Sequence, residues 1–140
     1  MNFALHPRLA ADTLPIGDLP LCRVLLLNDR RFAWMVLVPR RANAVEIHEL
    51  APKDRAALIE EVAAAGAALK NYCGAEKINI GALGNIVSQL HVHVVARFAA
   101  DPAWPGPVWG FGAAVAYDAA AAQDRVAALA RELGVTPTME

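Results

Sequence analysis

The sequence predicts an α+β fold: an antiparallel sheet of four to six strands, one long helix packed on one face, and a second helix at the C-terminus. Three observations carry this. Short runs rich in aliphatic and β-branched residues stand at Leu21–Leu27, Phe32–Val38, Lys77–Leu83 and Gln89–Arg97. A single long helical pattern, Ala51–Tyr72, separates the first two runs from the last two. The links within each pair are short and polar or glycine-bearing, Asn28-Asp29-Arg30-Arg31 in the first and a turn at Gly84-Asn85 in the second. Such links suit hairpins, whereas a parallel crossover needs a dozen or more residues.

The elements follow in order. Residues Met1–Pro20 are broken by Pro7, Pro15, Gly17 and Pro20, which predicts an extended lead-in with a short helix around Leu9 and room for a strand at Thr13–Gly17. Pro39, which cannot donate to a ladder, ends the second run. Arg40 and Arg41 read as solvated loop charges. In the long helix, Pro52 suits the first position, and Asp54, Glu60 and Glu61 lie toward the half where the helix dipole favours acids. Leu58, Val62, Ala65, Leu69 and Tyr72 form one apolar stripe, and Gly74 is a good stop. The stretch from Asp101 to Gly112 holds Pro102, Pro105, Pro107, Trp104 and Trp109 and is too aromatic for a linker. Asp118 can cap a last helix with Ala122, Val126, Leu129 and Leu133 on one stripe and Gly134 at its end; Pro137–Glu140 should fray.

Length and composition bound the function. A chain of 140 residues suggests one domain, 1–140, with its core at about 21–98 and a C-terminal loop and helix at 99–140. With 56% hydrophobic and 19% charged residues it is globular. A net charge of -1 gives no footprint for nucleic acid or an anionic membrane. Cys22 and Cys73 read as buried free thiols. The start, Met1–Pro7, does not read as a signal peptide, and no run is long enough for a membrane span, so the default expectation is a cytoplasmic protein.

The chemistry concentrates in Gln89-Leu90-His91-Val92-His93-Val94-Val95-Ala96-Arg97. Read as a strand, it puts Gln89, His91, His93 and Arg97 on one face and Leu90, Val92 and Val94 on the other, core, face. The two imidazoles are then about 7 Å apart along the strand, on an exposed face or edge. Such a pair can ligate a metal or do nucleophilic and acid–base work; a structural histidine pair is the plain alternative.

The segment resembles the signature of the histidine triad (HIT) family, His, apolar, His, apolar, His, apolar, apolar, with Gln89 in place of the first histidine. Gly84-Asn85-Ile86-Val87-Ser88 is similar to the family's lead-in, and Val24–Asn28 and Met35–Arg40 to its two preceding strands. The resemblance, spanning about Cys22 to Arg97, implies a HIT-like fold and a nucleotide hydrolase or nucleotidyltransferase acting at the α-phosphate through a covalent nucleotidyl-histidine. It implies His91 as nucleophile, and His93 as phosphate contact and leaving-group assistant. Gln89, Asn85, Ser88 and Asn28 are the candidate substrate-binding residues; the family's polar residue at the Asn28 position contacts ribose. Dinucleoside polyphosphates, nucleoside phosphoramidates and adenylylated molecules are the implied substrates, with no cofactor required and a homodimer as the assembly. Two further departures stand out. Trp34 occupies a position where the family often has a histidine, and Ala82–Asn85 is shorter and more apolar than the usual lead-in. A nucleotide-binding module with weak turnover is the second reading. A metal site built from His91, His93 and either His48 or a carboxylate is the third.

Overall fold

In a computed structural model, which describes residues 2–137, five strands form one antiparallel sheet. Helix α1 (Pro7–Asp12) leads into β1 (Thr13–Asp18), β2 (Cys22–Leu27) and β3 (Trp34–Pro39). A short 3₁₀ turn (Ile47–Glu49) precedes helix α2 (Pro52–Cys73), followed by β4 (Lys77–Gly81), β5 (Val92–Arg97) and helix α3 (Ala119–Leu133). The order across the sheet is β1-β2-β3-β5-β4, so β5 is interior and β4 outermost. The α+β architecture expected from the sequence is the one observed, including the short helix at Leu9 and the strand at Thr13. Of the stretch Pro137–Glu140 expected to fray, residues 138–140 lie outside the described residues.

Alternation on the strands divides the core in two. Val24, Leu26, Met35, Leu37, Val92, Val94 and Ala96 face α2 and α3, where Leu58, Val62, Ala65, Leu69, Val126 and Leu129 complete one cluster. Leu25, Trp34, Val36, Val38 and Val95 face the opposite way. The sequence suggests that this second face is exposed; instead it is covered. Leu9 of α1, Val87, and Ala103 and Val108 of the aromatic loop cover it. The reason is hydrophobic: strands apolar on both faces cannot leave either one in water.

Several charged side chains are structural. Glu61, expected to serve the helix dipole, is buried and accepts from the backbone N–H groups of Leu21 and Cys22 at 2.8 Å each. Arg41, expected to be solvated, donates two bonds to Asp54 at 2.7 and 3.0 Å in the first turn of α2. Arg40 donates to the carbonyls of Leu19 and Pro20. Asp29 is buried, with its carboxylate on the Arg31 guanidinium and on the N–H of Val115. Helix α3 begins where the Asp118 carboxylate accepts from Ala121 N–H at 2.8 Å and ends at Gly134, whose φ of 69° is left-handed.

Candidate active site

His91 and His93 enter from the start of β5, but the strand begins at Val92, not at Gln89. Residues 89–91 run outside the ladder; Leu90 N–H bonds the carbonyl of Ala44. The alternation deduced for Gln89 and His91 therefore rests on no sheet geometry. From Val92 to Arg97 it holds.

The two imidazoles are nonetheless brought together, with ring centroids 4.9 Å apart at 67°. His91 is only 7% exposed, yet it borders two clefts. One, of about 480 Å³, is walled mostly by apolar groups, among them Leu9, Leu27, Trp34, Ile86 and Trp109, and also holds His93 and Asn85. The other, of about 570 Å³, contains Glu46, His48, Arg55 and Ser88. Leu83 and Gly84 border both. Gly84 has a left-handed φ of 69°, which lets the chain turn between them.

Each imidazole has one nitrogen committed. Nδ1 of His91 lies 2.6 Å from the carbonyl oxygen of Gln89. A carbonyl only accepts, so Nδ1 carries a proton, and in the neutral ring Nε2 has the lone pair. Nδ1 of His93 accepts from the indole N–H of Trp34 at 2.9 Å. Burial, and secondarily neighbouring His91, push His93 down to about 4, so its ring is neutral at pH 7. Trp34 and Trp109 pack edge-on against it, with centroids at 5.6 and 5.7 Å. Trp109 in turn lies against Gly81 of β4, where a Cβ would meet its ring at 3.1 Å.

The other candidates divide. Asn85 and Ser88 reach the two clefts, one each. Gln89 does not line either. Its amide oxygen accepts from His6 N–H and its NH₂ donates to the Ala4 carbonyl, both at 2.8 Å. The Gln89 amide thus clasps the N-terminal segment leading into α1. Asn28 is likewise engaged, its side-chain oxygen accepting from Tyr117 N–H at 3.0 Å, and neither cleft includes it. Arg97, on the same strand face as His93, is 1% exposed and points into a structural cluster with Asp101, Asn79 and the Gly106 carbonyl. The sequence reading left Trp34 outside the site. Its signal was register: Trp34 pairs with Val95, so His93 is its diagonal neighbour on the same face.

An antiparallel sheet carrying two imidazoles, each held by its own hydrogen bond, at the border of two clefts has the features of a small-ligand site. The chain belongs to the histidine triad family: the HIT domain model matches residues 8–100. It is similar to a histidine triad protein from Sinorhizobium meliloti 1021, with 52% identity over 93% of this chain and 96% of that one and a TM-score of 0.91. A histidine triad protein from Bradyrhizobium japonicum shares 47% identity over 95% and 99% of the two chains, with a TM-score of 0.92. One from Marinobacter aquaeolei VT8 shares 42% over 96% and 98%, with a TM-score of 0.93. No curated protein sequence matches. Family membership supports a nucleotide-binding, hydrolase-type module. No helix among the described residues is long and apolar enough to cross a membrane.

Proposed function

We propose that the protein hydrolyses or transfers a nucleotidyl group by attack of His91 on the α-phosphate. The observation that carries this is the bond from His91 Nδ1 to the Gln89 carbonyl at 2.6 Å. It leaves Nε2 as the lone-pair nitrogen at the border of both clefts. When Nε2 bonds phosphorus, the ring becomes an imidazolium, and the Gln89 oxygen already faces the N–H that carries its charge. Water then attacks the same phosphorus and gives up a proton to solvent, the P–N bond breaks with its electron pair returning to Nε2, and the ring leaves as a neutral imidazole. Phosphoryl oxygens, which gather negative charge, find donors in His93, Asn85 and Ser88. The chemistry needs no cofactor. Gln89 and Asn28 support this site from outside, through the backbone segments they hold.

The apolar cleft suits a nucleoside and the polar cleft the leaving group. The polar cleft offers one arginine, Arg55, beside Glu46, with His48. A leaving polyphosphate would meet one cation and one carboxylate there, so a leaving group of low charge, such as an amine, fits better. A nucleoside 5′-phosphoramidate with an alkylamine leaving group is expected to exceed a dinucleoside polyphosphate by about tenfold or more in kcat/KM. Parallel assays of the two check this, and equal or reversed values count against it. Among the described residues no group of three or more His, Cys, Asp and Glu side chains could hold a metal ion, which gives the metal reading no support.

We also propose a homodimer. Strand β4 is outermost, and its Ile80 is 53% exposed. An apolar outer strand is a template for pairing with another chain. Sedimentation at micromolar concentration should give twice the monomer mass, and Ile80→Lys should shift it toward the monomer; a monomeric wild type refutes the pairing.

A further inference from the structure

We infer that Trp34 is a positioning residue: its indole N–H locks His93 as the Nε2–H tautomer, so that His93 meets the phosphoryl group as a fixed neutral donor and never as the proton source for the leaving group. This rests on the nucleotidyl-transfer reading of the site and adds a division of labour between the two imidazoles.

The geometry is direct. An indole N–H can only donate, so at 2.9 Å the Nδ1 of His93 must hold a lone pair. The neutral ring then has its one proton on Nε2. Protonating Nδ1 would set two N–H groups against each other and break that bond. The surroundings offer an imidazolium nothing in return. β3 presents Trp34, the loop after β5 presents Trp109, and β4 places side-chain-free Gly81 opposite His93. The charged or titratable groups around the shared cleft are His91 beside the ring, and Arg8 and Asp12 of α1. Burial and His91 both disfavour a second positive charge.

The proton balance follows. The Nε2 lone pair of His91 forms the N–P bond, and the bond from phosphorus to the leaving atom breaks with its electron pair going to that atom. The Nε2 proton of His93 stays on His93, hydrogen-bonded to a non-bridging oxygen. An amine leaving group must therefore arrive protonated or take its proton from water. Trp34 thus acts through His93 and does not touch the reacting atoms.

The test reads the ring itself. Histidine ¹⁵N spectra of the wild type at pH 7, assigned against His93→Gln, should show His93 solely as the Nε2–H tautomer. In Trp34→Phe, which keeps the aromatic bulk and removes the N–H, the other tautomer should appear and protonation should move to higher pH. With a nucleoside phosphoramidate, Trp34→Phe should lose about tenfold in kcat, the rate equivalent of one ordinary hydrogen bond, with KM little changed and a new ionisation in the acid limb of the pH profile. A wild-type His93 that is Nδ1–H or an imidazolium at pH 7 overturns the inference, as does a Trp34→Phe protein with unaltered tautomer and pH profile. Should Trp34→Phe not fold, the wild-type spectrum decides. A locked tautomer in a protein that turns over no nucleotide would refute the enzymatic reading and leave the locking intact.

Discussion

The His91→Gly protein is expected to fold, to bind nucleotide, and to form no covalent adduct, with turnover lower by about four orders of magnitude or more. The magnitude follows from the division of roles: His93 has its Nδ1 on Trp34 and lacks a free lone pair, so no neighbouring imidazole can replace the missing nucleophile. Folding should survive because His91 precedes β5 and makes no ladder pair; the β3–β5 register runs through Val92, His93, Val94 and Val95. The lost side chain gives up one bond to a local carbonyl. Intact mass after brief exposure to a nucleoside phosphoramidate, quenched at alkaline pH because the P–N bond to imidazole is acid-labile, should rise by one nucleotidyl unit for the wild type alone. An adduct on the glycine protein, or a rate within tenfold of wild type, would sink the assignment.

The parts of this molecule that were legible in the sequence are those written locally. Strands β2, β3 and β5 announce themselves by aliphatic and β-branched runs, and α2 by its stripe between Pro52 and Gly74. The reading failed where alternation was extended past a strand's start: Gln89 and His91 keep the two-residue rhythm, but their backbone has left the ladder. It also failed where a polar side chain answers a distant one. Glu61 reaches the N–H groups of Leu21 and Cys22, forty and thirty-nine residues away, and Trp34 meets His93 across fifty-nine. Nothing in a local window distinguishes these from surface acids or core aromatics; strand order and register do. The family signature pointed to His91, the residue proposed as nucleophile. It could not show that the Gln89 amide holds the N-terminal segment, because that depends on where residues 4 and 6 pass.

Arg97→Leu is expected to lower stability by about 3–5 kcal/mol, the range for breaking a buried ion pair from one side, and Tm by about 10 °C or more. The guanidinium holds four oxygens: both carboxylate oxygens of Asp101 at 2.8 and 3.1 Å, the Asn79 side chain at 2.7 Å and the Gly106 carbonyl at 2.8 Å. It also packs over Phe32 and Trp104, 5.9 and 5.6 Å from their ring centroids. Leucine fills part of the space and leaves those oxygens without their donor. Asp101 then remains tied only to the N–H groups of Phe98, Ala103 and Trp104. The effect reaches the site because this clamp fixes the loop that carries Trp109 onto His93. Loss of near-ultraviolet circular dichroism from the tryptophans should accompany the fall in Tm. Acid titration separates the contributions. Arg97 first, aided by the backbone N–H groups, lowers Asp101 from 3.8 to about 2, so its stabilisation is full above about pH 4 and disappears as pH falls through 2. His93, lowered from 6.5 to about 4, contributes a separate loss as pH falls from 6.5 through 4. Wild-type Tm should therefore decline in two windows, whereas Arg97→Leu should lose most of the lower and narrow the upper, because Trp109 no longer buries His93. A leucine variant with wild-type Tm and both windows intact would show that the arginine does not hold the loop.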